Sequence, residues 1–246
     1  MGEFFPLTSV APNMHLRTPA LLLLACLGAQ LVAAEIAAEG IMLPFFDATG
    51  RRTHALRAER GTLRGPLQTL TGAELVYFSA DEPNRIVQRV QADTATWDTA
   101  NETLTSDGHV TVTTDFNRLS GEGFDFSMAT SLIRIHRAFT LENTELKLTS
   151  DRAVIELAPD RADRAGRGVR GSDVKRCEAQ GNLVVTVLPT ARKEYPCDQA
   201  FSAIAIYDGE TQTIELPQPT RTLKRGSEGR IGHFKFDLRV PAAPQK

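Results

Sequence analysis

The chain has 246 residues, 41% of them hydrophobic and 24% charged, with a formal net charge of −2. That balance belongs to one large or two small globular domains. It argues against a general nucleic-acid binder, which is normally basic, and a single Trp (Trp97) among few aromatics argues against a base-stacking platform.

The chain opens like an export signal. Arg17 supplies a positive charge, Leu21 to Leu24 begin an apolar run, and Val32-Ala33-Ala34 precedes Glu35 as a small-residue cleavage site. The uncharged stretch from Thr18 to Ala34 contains Pro19, Gly28 and Gln30 and falls short of the roughly 20 apolar residues of a spanning helix. Residues 1–34 are therefore expected to be a cleaved signal segment that exports the protein. A retained membrane anchor, or a lipoprotein processed at Leu23-Leu24-Ala25-Cys26, stands as the alternative.

Beyond residue 40 the sequence alternates with period two. Val76 and Phe78 share one face, as do Val110 and Val112, Phe124 and Phe126, Ile133 and Ile135, Leu146 and Leu148, Ile155 and Leu157, Ile214 and Leu216, and Phe234 and Phe236. Polar partners between them, such as Thr111, Asp125, Arg134 and Lys147, mark half-buried strands. Turn signals recur at Asp47-Ala48-Thr49-Gly50, Ser106-Asp107-Gly108 and Asp208-Gly209-Glu210. The pattern predicts an all-β protein: an open antiparallel β-jelly roll, or elongated two-sheet stack.

A short phrase also repeats. Ala92-Asp93 opens an alternating strand that is followed by Gly108-His109-Val110, and Ser150-Asp151 opens another that is followed by Gly181-Asn182-Leu183. A repeated strand unit predicts strands stacked on strands, which is a binding or scaffold surface more often than a catalytic one.

Two segments depart from the pattern. The stretch 159–173, rich in Arg, Asp and Gly, reads as a loop insert, and 240–246 reads as a tail. Within the insert, Gly166-Arg167-Gly168-Val169-Arg170-Gly171 matches a dinucleotide-binding spacing. It lacks the preceding buried strand and following helix that such a site requires. No histidine pair has metal-ligand spacing and no Gly-x-Ser-x-Gly elbow occurs. The expectation is a non-enzyme without cofactor or metal. Cys177 and Cys197, each beside a strand of the last repeat, are candidates for a disulfide in an oxidising compartment. Two free thiols are the other reading.

Gly40 to Glu59, with Phe46-Asp47-Ala48-Thr49-Gly50 leading into Ala58-Glu59, resembles the opening of the LptC/LptA (OstA-like) lipopolysaccharide-export family. Ala92-Asp93 to Val112, Ser150 to Val187 and Phe201 to Leu216 are similar to that family's repeats. The resemblance implies an LptC-like half over 35–145 and an LptA-like half over 146–239. It implies a periplasmic bridge component that shields acyl chains of lipopolysaccharide or a related lipid in a hydrophobic groove. It implies partners of the same bridge joined by end-to-end strand pairing. Phe124, Phe126, Ile133, Ile135, Leu146 and Leu148 are the candidate groove residues. The rival expectation is an exported structural or adhesive β-repeat protein with no lipid cargo.

Overall fold

Alternating β-branched, aromatic and Leu residues separated by Gly-rich turns produce a chain of long strands. The computed structural model describes residues 36–79, 81–82, 84–157, 174–191, 194–218 and 220–238. The expected signal segment 1–34, loop insert 159–173 and tail 240–246 lie outside them. The strands are β1 (Ile36–Phe46), β2 (Arg52–Arg64), β3 (Leu67–Phe78), β4 (Ile86–Asp98), β5 (Thr103–Thr114), β6 (Arg118–Ser127), β7 (Leu132–Glu142) and β8 (Leu146–Ser150). They continue as β9 (Arg152–Leu157), β10 (Val174–Val187), β11 (Gln199–Asp208), β12 (Thr213–Leu216), β13 (Thr220–Lys224), β14 (Ser227–Ile231) and β15 (Phe234–Asp237). Every pairing is antiparallel, and all 15 strands belong to one sheet. No helix occurs among the described residues.

Most of these strands are far longer than the usual five or six residues, and they bend near their middles. The register shifts between Ala92 and Thr96, between Ser106 and His109, between Ser120 and Glu122, and between Gln180 and Leu183. Gly40, Gly72, Gly123 and Gly181 adopt positive φ along this line, joined by Ala138 and Asn182. Each such bulge bends its strand and adds twist. The line also interrupts one strand outright: β8 and β9 are separated only by Asp151, and both pair with β7 and β10.

The bends fold the sheet back on itself. On one side of the line, register carries an unbroken inner row from Leu56 through Leu75, Val90, Val112, Leu119 and Leu141. It continues to Leu148, Val185 and Ala200. On the other side a second row runs from Trp97 through Leu104, Phe126, Ile133 and Ile155 to Cys177, Tyr207, Ile214 and Phe236. Both rows are buried and belong to one apolar cluster. A single flat sheet cannot bury a face without a covering layer, and here the covering layer is the other half of the same strands. The two layers meet directly. Ile41 of one layer fills the space where Gly61 of the other would carry a side chain, and Ile135 does the same over Gly121. At the far rims Phe45 packs edge-on against Trp97 at 6.3 Å. The Tyr195 hydroxyl donates to the Asp237 carbonyl at 3.3 Å.

The expected all-β antiparallel architecture is present, with its two layers supplied by one kinked sheet. The strands run through β7 and β8 without interruption, and the described residues form one compact unit.

Candidate functional site

The apolar interior between the layers is the candidate site, and its chemistry follows from which strand positions point inward. Phe124, Phe126, Ile133, Ile135, Leu146 and Leu148 all face it, each no more than 1% exposed. Register places Phe124 opposite Ile135 and Phe126 opposite Ile133 in one layer, and Leu148 beside Leu141 in the other. The structure thus gathers the six around one interior, as fully enclosed core. Half-buried apolar residues lie at the margins of that core: Ile41, Leu43, Phe45, Tyr77, Met128 and Val187. These are the residues an entering apolar chain would meet first. Met128 continues the Phe124-x-Phe126 alternation; the sequence reading passed over the β1 residues, for which the Ile41-x-Leu43-x-Phe45 spacing was the available signal.

The margin of the first layer changes character. There Phe45 stacks on His54 with ring centroids 4.5 Å apart, and His54 leans on Tyr77 at 5.3 Å. Burial holds the His54 imidazole below its ordinary value of 6.5 and raises the Tyr77 phenol. At the opposite end, the segment before β11 closes the interior. Tyr195 and Cys197 are buried there, and the Lys224 ammonium donates to the Tyr195 carbonyl at 2.5 Å. Burial, reinforced by the Glu145 and Asp237 charges, pushes the Tyr195 phenol up to about 12.

The expected Cys177–Cys197 bridge is not formed: both are free, buried thiols. The bend in β10 explains the separation. Cys177 sits in the second inner row, opposite Tyr207, whereas Cys197 precedes Asp198, whose carbonyl accepts from Val187 on the other side of Gly181. Burial, with the Glu178 charge adding to it, pushes the Cys177 thiol up to about 12.

A separate cleft of about 550 Å³ lies along the bend line, lined by Arg57, Glu59, Glu74, Asp93, His109 and Thr111 among others. Its central carboxylate, Glu74, is taken up by neighbouring side chains. Glu74 accepts from Arg57 at 3.4 Å, from Gln91 at 3.3 Å and from Arg89. No group of three or more His, Cys, Asp or Glu residues suited to a metal ion occurs among the described residues.

Among the described strands three are margins with one partner each, β1, β14 and β15, and the first two differ. β1 bonds to β2 on one side and to no other described strand, and it exposes Ile36, Met42 and Phe46. β14 bonds only to β13, and all five of its residues are exposed.

Fold and interior together define an antiparallel β protein with an apolar core enclosed by one folded sheet. Comparison with protein-family models and with curated proteins returns no match.

Proposed function

We propose that the protein is a periplasmic component of a lipopolysaccharide-transport bridge of the LptC/LptA kind, shielding acyl chains between the two layers of its sheet. The observation that carries this reading is the pair of continuous inner rows, one per layer, the first running from β2 to β11 and the second from β4 to β15. Each acyl CH₂ taken out of water contributes about 0.8 kcal/mol. A greasy passage therefore removes the barrier to crossing an aqueous space with no bond-making step. The uncovered β1 edge, with its exposed Met42 and Phe46, suits strand addition by a neighbouring bridge protein.

The full burial of Phe126, Ile133 and their row neighbours favours a second reading, an exported structural β-repeat with a dry core. Site-specific photocrosslinking separates the two. A photoreactive residue at Leu43, Phe45 or Met128, which face inward at the margin, should crosslink to lipopolysaccharide. The same group at Met42, on the outer face of β1, should not. Absence of crosslinking at all three inward positions would leave the structural reading.

A further inference from the structure

One inner-facing row is not apolar. Register pairs Phe45 with His54, His54 with Tyr77, Tyr77 with Gln88, and Gln88 with Thr114. Thr114 in turn binds the turn residue Asn117. Its amide donates to the Asn117 carbonyl at 2.9 Å, and its hydroxyl accepts from the Asn117 amide at 3.0 Å. Gln88 and Asn117 are only 2% and 4% exposed, and Gln88 Nε2 and Asn117 Nδ2 have no hydrogen-bond partner. Two residues along the same strands lies the aliphatic row Leu75–Val90–Val112–Leu119, a step of roughly 7 Å at the rise of a strand.

Buried amide nitrogens without acceptors are costly and rare, and two on one face, flanking Thr114, call for an acceptor atom. The donors are neutral, and the row holds no Lys or Arg. They therefore suit uncharged oxygen better than phosphate, which recruits cations. We propose that Gln88 and Asn117 form an acyl-linkage site: their amides donate to the ester or amide carbonyl of an acylated amphiphile whose hydrocarbon chain runs along the aliphatic rows. The aromatic pair Phe45–His54 and the facing Trp97 flank the level at which the chain gives way to its linkage. This inference rests on the lipid-shielding reading and adds to it the side chains that hold the acyl linkage, Gln88 and Asn117.

The test uses two disaccharide detergents below their micellar concentrations, n-dodecanoyl sucrose, which carries an ester carbonyl, and n-dodecyl maltoside, which does not. Trp97 is the only tryptophan, so its fluorescence reports binding. Wild type should bind the ester about tenfold more tightly, the worth of one or two net hydrogen bonds. Gln88→Met and Asn117→Leu should each keep the affinity for dodecyl maltoside and lose most of the preference. Gln88→Met removes an orphaned donor without leaving a hole, so it carries the test even where Asn117→Leu does not fold. A preference that survives in Gln88→Met, or equal binding of both detergents by wild type, overturns the linkage site. Binding of neither detergent by wild type overturns the lipid reading beneath it.

Discussion

The Asp151 carboxylate occupies the space where Gly181 would carry a side chain. Asp151 stands at the break between β8 and β9, and Gly181 at the bend of β10 with φ +78°. The Asp151 amide donates to the Gly181 carbonyl at 3.1 Å, and the Asn182 side-chain amide donates to both carboxylate oxygens at 3.2 and 3.0 Å. Glu59 lies over Gly72 in the same manner at another point of the bend line. An acid on one strand thus lies over a positive-φ glycine on its neighbour where the sheet turns.

Gly181→Ala should therefore destabilise the fold by about 1–3 kcal/mol, from a side chain forced into the left-handed region and from collision with Asp151. Adding Asp151→Ala should recover only the collision part. Urea unfolding of the double-mutant cycle separates the two contributions.

Stability should fall as pH drops below neutrality. The burial that lowers the His54 pKa favours its neutral form in the folded state. The unfolded chain then binds the extra proton first, so this contribution is full above 6.5 and is lost as pH falls through 6.5 toward the lowered value. Urea midpoints between pH 7.5 and 5 should show the loss, and His54→Phe should flatten it. Asp47, held at about 2 by hydrogen bonds from Thr49 and Arg51, acts only in stronger acid, with its contribution lost as pH falls from 3.8 through 2.

The inner rows should respond as a close-packed core. Phe126→Ala should cost about 3–5 kcal/mol and Leu148→Ala about 2–5 kcal/mol. Met42→Ala, on the exposed face of β1, should stay within about 0.5 kcal/mol of wild type. A denaturant series with unchanged slopes measures all three.

Both thiols should be silent toward a disulfide reagent at pH 8 in the folded protein, because the reactive thiolate is suppressed by burial. Both should react in concentrated urea without reductant. Failure to react after unfolding would show that they are bridged in the isolated protein.

Strand grammar was legible in the sequence because every inner position of the two rows obeys period two; Phe124-x-Phe126 and Ile133-x-Ile135 are examples. The repeated acid-then-glycine phrase was visible as well, and its second copy has a physical cause: Asp151 and Gly181 face each other at the bend, whereas Gly108 of the first copy meets only the Ser106 hydroxyl. Folding of one sheet into two layers was not legible, since a bulge such as Ser106–His109 preserves alternation on either side while bending the strand. Nor was the polar row. Gln88 interrupts Ile86-Val87-Gln88-Arg89-Val90 only as a polar residue in an apolar parity, and its significance depends on the pairing with Thr114. The cysteine expectation failed because sequence proximity to strands says nothing about which side of the bend each thiol occupies.

A sheet in which nearly every strand bonds to its immediate predecessor has consequences for how the protein comes apart. Contacts that are local along the chain favour rapid assembly, and they let a stack lose its outer members without dissolving its centre. Amide hydrogen exchange should therefore proceed as an erosion from the margins β1, β14 and β15. β1 and the β13–β14 hairpin should lose protection first, while β6, β7 and β10 exchange only through global unfolding. A partner strand laid against β1 would slow exchange from that side and leave the β14 margin as it was.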